Sequence, residues 1–193
     1  MKKIVLASSN QHKVKEFHEI LDNYEILSLK DIGFLDDIEE TGSTFLENAL
    51  IKAKTVSEFL KDKGLSYDVI ADDSGCCCNA LNGEPGIYSA RYAQDHDFQK
   101  NRDLVRKKLK NKKDKTAYFN CTIVLYHIDG SYESFEGRTN GQIIEEEKGS
   151  KEFGYDCIFL SDDLGKTFGE ATSDEKNRVS HRKRAIEKLK KVL

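Results

Sequence analysis

An apolar run at the front of the chain, Lys3 to Ala7, stops at Ser8-Ser9-Asn10, and beyond it Val14, Phe17, Ile20 and Leu21 recur at helical spacing. Strand, capped turn and amphipathic helix in that order make a βα unit, and such a unit needs a sheet to pack on. Tyr24 to Leu29 reads as a second strand, Asp31 to Gly42 as an acidic loop. Thr44 opens a long helix that carries Phe45, Ala49, Lys52, Ala53, Val56 and Leu60 near one face and ends at Lys63-Gly64. Val69-Ile70-Ala71 is a short buried strand running directly into Asp72-Asp73-Ser74-Gly75, which places polar groups at a strand end. Phe98 to Leu109 is helical by pattern. Thr116 to His127 and Tyr132 to Gly137 form a hairpin through Asp129-Gly130, and Gln142-Ile143-Ile144 continues the β pattern. Phe153 to Leu160 follows as a strand-like stretch, and Ser180 caps a final helix with Ala185, Leu189 and Val192 on a common face. Strands that alternate with helices early and pair as a hairpin later imply an α/β fold on a mixed sheet.

Residues 1–193 fit one domain with a substantial core. Apolar runs fall far short of the roughly 20 residues that span a bilayer, and Met1 to Ala7 is too short for a signal peptide, so a cytoplasmic protein without membrane attachment is expected. The five cysteines include the consecutive Cys76, Cys77 and Cys78, with no CxxC pair at Cys121 or Cys157, which argues against a disulfide framework or zinc knuckle. Strand alternation points Cys76 and Cys78 to one face and Cys77 to the other, as small buried hydrophobes. A formal charge of −3 argues against a protein-wide nucleic-acid footprint, yet Lys176 to Leu193 holds eight Lys/Arg against one Glu. That basic end is either a solvated helix face or a wall for a polyanionic substrate.

Several stretches carry candidate chemistry, each beside a plainer reading. Ser8, Ser9 and Asn10 with Lys13 at a helix start offer donors and a cation, which serves phosphate binding or simple capping. Glu39-Glu40-Thr41-Gly42 and Asp72-Asp73 are polar turns or, together, hard oxygen ligands for Mg²⁺; Glu47 adds to them or sits favourably at the helix dipole. Phe153-Gly154-Tyr155-Asp156 suits stacking on a base, with glycine admitting close backbone approach, or is a bulged core strand. Lys176, Ser180, His181 and Arg182 are donors at a helix start or an ordinary basic helix.

Taken together and in order, these stretches resemble the inosine triphosphate pyrophosphatase family, the Ham1-like enzymes. The resemblance rests on Ser8-Ser9-Asn10 with Lys13, Glu40 to Ala49 with Lys52-Ala53, Ala71-Asp72-Asp73-Ser74-Gly75, Leu81-Asn82-Gly83 with Pro85 to Arg91, Phe153-Gly154-Tyr155-Asp156, and Lys176 with Ser180-His181-Arg182. It implies an elongated mixed sheet flanked by helices, two lobes with an active-site cleft between them, and a homodimer. The implied reaction splits non-standard purine triphosphates, those of inosine, deoxyinosine and xanthosine, into monophosphate and pyrophosphate. By resemblance Ser8, Asn10 and Lys13 would grip the phosphates, with Lys13 also supplying catalytic charge. Glu40, or Glu39 in its place, and Asp73 would hold Mg²⁺, and Asp73 would be the general base. Phe153, Gly154, Tyr155, Asp156, Lys176, His181 and Arg182 would form the base pocket, with Ser74 and Arg91 lining the cleft. Glu152 and Cys157 stand where members commonly have Gly and Pro.

Triphosphate hydrolysis demands charge neutralisation and alignment above all, and the acids and Lys13 supply the means. Donors on His181, Arg182 or the backbone would accept the 6-carbonyl of hypoxanthine and xanthine but face the amino group of adenine. Two alternatives stand beside this reading: a Maf-like pyrophosphatase for modified pyrimidine nucleotides, and a non-catalytic nucleotide or nucleic-acid binder that uses the basic C-terminal helix.

Overall fold

The computed structural model describes residues 2–193. Strand β1 (Lys3–Leu6) leads into helix α1 (Gln11–Ile20), whose first turn is closed by Asn10: its side-chain oxygen accepts from the amides of His12 at 3.0 Å and Lys13 at 3.3 Å. Phe17 and Ile20 bury the inner face of α1, and strand β2 (Glu25–Ser28) pairs in parallel with β1, from Lys3 opposite Glu25 to Leu6 opposite Ser28. Thr44 caps α2 (Phe45–Asp62) by accepting from the Glu47 amide at 3.1 Å. Past its end, Gly64 takes φ +70° and the amide of Leu65 returns to the Leu60 carbonyl at 2.9 Å, which satisfies an otherwise orphaned carbonyl.

Strand β3 (Asp68–Cys78) lies parallel to β1. It does not stop at Ala71 as its apolar run suggests. Asp72 and Asp73 stay in the ladder because side chains from other elements meet their charges, so the two acids sit within a strand and not at its end. Helix α3 (Phe98–Leu109) begins at the Asp97 cap, and β4 (Thr116–Tyr126) and β5 (Tyr132–Ile143) follow as the expected hairpin pair, joined by a turn in which the His127 amide donates to the Ser131 carbonyl at 2.9 Å. Three further elements depart from the sequence reading. The Phe153 to Leu160 stretch is a loop and a 3-10 turn (Asp156–Ile158) before a strand, β6, of only Phe159–Ser161. Helix α4 (Ser173–Val179) has no apolar stripe to betray it. In α5 (His181–Leu189) the buried face is Ala185, Ile186 and Leu189, while Val192 lies beyond the helix and is 48% exposed.

The strands form one six-stranded mixed sheet in the order β2-β1-β3-β4-β5-β6, antiparallel at β5-β6. The chain divides into two compact units: residues 1–73, 122–136 and 185–193 in the first, 74–121 and 137–184 in the second. Each has its own core. In the first unit Val5, Ala7, Ala49, Ala53, Val56, Leu60, Val69 and Ala71 pack between α2 and the sheet. Burial of each Val or Leu there contributes about 1.5–3 kcal/mol. In the second unit Cys76 and Cys78, on one face of β3 as alternation requires, join Val105, Leu109, Phe119, Tyr155, Phe159 and Phe168. All five cysteines are buried free thiols. Gly75 is obligatory here, because a Cβ would stand 2.2 Å from the Gly86 carbonyl oxygen and 2.6 Å from Ser89 Oγ. No helix among the described residues is long and apolar enough to cross a membrane.

Candidate active site

Neighbouring residues of a strand send their side chains to opposite faces, and β3 uses that alternation to give its two acids different partners. Asp72, 1% exposed, meets Lys13 Nζ at 2.9 Å. Asp73 accepts from Asn48 Nδ2 at 3.0 Å and lies 3.9 Å from Lys52 Nζ. The Lys52 ammonium, on the inner face of α2, also donates to the Asp72 carbonyl at 2.6 Å and to Glu40 Oε1 at 2.8 Å. Acids from two separate segments, Glu40 and Asp73, are thereby drawn to one cation. Burial pushes Lys52 toward its neutral form, but Asp73, Asp72 and Glu40 outweigh it and raise its pKa. Burial raises the pKa of Asp73; Lys52 opposes that shift, and the Glu40 charge adds to it. The cluster thus sets a carboxylate repulsion between Glu40 and Asp73 against the charges of Lys52 and Lys13.

Asn48, fully buried, fixes this geometry from both ends: while Nδ2 holds Asp73, its Oδ1 accepts the Gly42 amide at 2.8 Å and so docks the loop that carries Glu40. A Cβ on Gly42 would fall 2.7 Å from that oxygen, so only glycine lets the loop close on α2. Glu39 is exposed, and Glu40 is the acid that turns inward. Glu47 is spent on Ser43, whose amide and hydroxyl both donate to it at 2.6 Å and lower its pKa. Asn10 serves as the cap of α1, and Ser8 Oγ accepts the Asn10 amide at 3.3 Å, which puts Ser8, Asn10 and Lys13 on one turn. Among the described residues no group of three or more His, Cys, Asp and Glu side chains gathers as a metal cage.

The second unit holds the remaining candidates. Lys176 pairs with Asp156 at 2.5 Å and lies over two rings, 5.1 Å from the centre of Phe153 and 5.6 Å from that of Phe168. His181, 6% exposed, stacks on Phe119 at 5.0 Å and 15°, and Phe119 stacks on Phe168 at 5.8 Å and 8°. Arg182, 3% exposed, donates to Ser74 Oγ at 3.2 Å. The Tyr155 hydroxyl donates to the Ser89 carbonyl at 2.8 Å, on the same turn where Arg91 stacks 5.4 Å over Tyr88. Gly154 adopts φ +46° with open space where a Cβ would stand, so the backbone turn itself requires glycine there. Lys176 belongs to α4 and not to the start of the last helix. Within the basic C-terminal segment, Arg184 donates to the Arg138 carbonyl and to Asp163, Lys188 to the Glu136 carbonyl and Lys190 to the Ile20 carbonyl. Those three cations staple the last helix down.

Lys52 and Asn48 are the site residues that pattern reading passed over. Both lie on the inner face of α2, spaced four apart and interleaved with Ala49 and Ala53; the helical period takes in Lys52 as a packing position and leaves Asn48 out. A buried lysine and asparagine on such a face demand partners, and that demand is the signal that points to them.

Residues 4–192 match the Ham1 family. The chain is 50% identical to the dITP/XTP pyrophosphatase of Clostridium perfringens over 196 residues, covering 98% of this chain and 96% of that one. It is 46% identical to the dITP/XTP pyrophosphatase of Bacillus subtilis, covering 100% and 98%. Its structure is similar to that of the Staphylococcus aureus Ham1 protein, with a TM-score of 0.88 and 40% identity over 99% of this chain and 97% of the other. By sequence and fold alike, this chain belongs to the Ham1 family.

Proposed function

We propose that this protein hydrolyses the triphosphates of deoxyinosine, inosine and xanthosine to the nucleoside monophosphate and pyrophosphate, clearing them from the nucleotide pool. The observation that carries this reading is the convergence of Glu40 and Asp73 on the Lys52 ammonium, beside the Asp72–Lys13 pair at the head of α1. Such acids repel a polyanion by themselves and fit a magnesium ion, which takes only one or two carboxylates and completes its shell with waters and phosphate oxygens. Glu40 and Asp73 would hold that ion, and it would neutralise phosphate charge.

The chain's own groups do the rest. Lys13, with Ser8 and Asn10, grips phosphate oxygens at the positive end of α1. Asp73, its pKa raised by burial, accepts a proton as a water oxygen bonds to the α-phosphorus and the bond to the bridging oxygen of pyrophosphate breaks. Lys52 keeps the acids close without letting their repulsion open the loop. In the second unit Phe153 offers a ring face, while His181 and Arg182 present donors to the 6-carbonyl of the base. Adenine turns an amino group toward them. Each unsatisfied donor costs about 1–3 kcal/mol, so two give roughly 10²- to 10⁴-fold selection.

The test is incubation of the purified protein with dITP and Mg²⁺, followed by separation of the products. Deoxyinosine monophosphate and pyrophosphate are expected, whereas the diphosphate and inorganic phosphate would overturn the bond assignment. The reading extends to a cytoplasmic homodimer, which sedimentation would show as twice the mass of the 193-residue chain.

A further inference from the structure

The base-recognition loop of the second unit, 147–156, is held by α3 through one buried cation. Arg102 is 2% exposed and all three nitrogens of its guanidinium are engaged: Nη1 donates to the Gly154 carbonyl at 2.8 Å, Nε to Glu147 Oε1 at 3.1 Å and Nη2 to Gln99 Oε1 at 2.9 Å. One helical turn earlier on the same face, Phe98 sets its ring edge-on to Phe153 with centroids 6.0 Å apart. Glu147, itself accepting from Lys151, Gln99 and Arg102, pins the near end of the loop. The left-handed backbone at Gly154 turns its carbonyl to the arginine, between the two residues, Phe153 and Asp156, that frame Lys176. A planar fork has the geometry for three acceptors at once; a lysine in its place reaches fewer.

We propose that Arg102 is a positioning residue for base selectivity: through Gly154 and Glu147 it fixes the Phe153–Asp156 loop in the shape that a 6-oxopurine requires. The proposal rests on the base-pocket reading above and adds to it a residue that never touches the base. Its reach is confined to substrate binding, because none of its partners belongs to the Glu40–Asp73 cluster.

Steady-state kinetics of the full chain with Mg²⁺ on dITP and dATP, for wild type, Arg102→Met, Arg102→Lys and Glu147→Gln, test it. Arg102→Met is expected to raise KM for dITP roughly 10- to 100-fold, the loss of about one charge-assisted hydrogen bond. It should lower the dITP over dATP preference by a similar factor with kcat near wild type. Arg102→Lys restores part of the loss, and Glu147→Gln, whose amide oxygen still accepts from Nε, shows a smaller shift in the same direction. A folded Arg102→Met with wild-type KM and wild-type preference overturns the proposal, as does a fall in kcat alone. If Arg102→Met fails to fold, Glu147→Gln and Phe98→Leu decide by the same two readouts, and unchanged values overturn it. Hydrogen exchange without substrate separates the two layers of inference. Faster exchange confined to residues 147–157 in Arg102→Met, on a wild-type chain that hydrolyses neither dITP nor XTP, sinks the functional reading and the selectivity role while leaving the anchor standing. Unchanged exchange there removes the anchor itself.

Discussion

The charged cluster of the first unit and the aromatic pocket of the second solve opposite problems with buried polar groups. In the first, Lys13, Lys52, Glu40, Asp72 and Asp73 hold one another by charge, and the balance includes a carboxylate repulsion. In the second, the ring faces of Phe119, Phe153 and Phe168 carry His181 and Lys176, and one ion pair, Lys176–Asp156, completes the arrangement. A set of mutually balanced charges responds strongly to an added cation or polyanion. A packed set of rings responds to shape instead. The proposed function draws on that difference, with phosphate chemistry in the one and discrimination among bases in the other.

The hardest blow to that division falls on the first unit. Asp73→Asn removes the proton acceptor and should lower kcat on dITP by at least about 10²-fold with a modest change in KM; a rise in KM alone would hand Asp73 a binding role. Lys52→Met strips Glu40 and Asp73 of their shared buried cation and should cost about 3–5 kcal/mol in urea unfolding. A loss under 1 kcal/mol would mean that the cluster is solvated and not balanced by Lys52.

The second unit is expected to show its own electrostatics at low pH. Lys151 first, then Gln99 and Arg102, hold the Glu147 carboxyl down to about 2 against the opposing effect of burial. A carboxyl with a depressed folded pKa stabilises the fold above its ordinary value near 4.5 and loses that contribution as the pH falls toward 2. Glu147→Gln should therefore remove about 2 kcal/mol of acid-dependent stability, read as urea midpoints between pH 5 and 2. Parallel curves for the two proteins would refute the assignment. The smallest effect belongs to Val192→Ser: a side chain 48% exposed past the end of α5 should shift stability by under about 0.5 kcal/mol, though its spacing in the sequence suggests a core position.

That last residue marks where pattern reading fails. The front βα unit, α2 and the hairpin were legible because their apolar periods are local and their caps stand beside them: Asn10, Thr44 and the Asp129-Gly130 turn. Helix α4 has no apolar period, yet Thr172 and Glu175 form a reciprocal capping box that is visible three residues apart in the sequence. The acids and Lys13 were legible as residue types, whereas the choice of Glu40 and Asp73 among the four acids came from the family resemblance. What was not legible is long-range: that Lys52 and Asn48 reach from the inner face of α2 to bind β3 and the Gly42 loop, and that Arg102 reaches 52 positions ahead to Gly154. Such contacts are fixed by the sheet order, and a helical period does not encode them.

The central claim is that Glu40 and Asp73 form one cation site for phosphate chemistry. Initial rates of dITP hydrolysis, titrated with Mg²⁺ for wild type and Glu40→Gln, test it most directly. The account predicts no hydrolysis after chelation of divalent ions, and a clearly higher Mg²⁺ requirement for Glu40→Gln with the products unchanged. Hydrolysis that survives chelation, or identical Mg²⁺ curves for the two proteins, would contradict it.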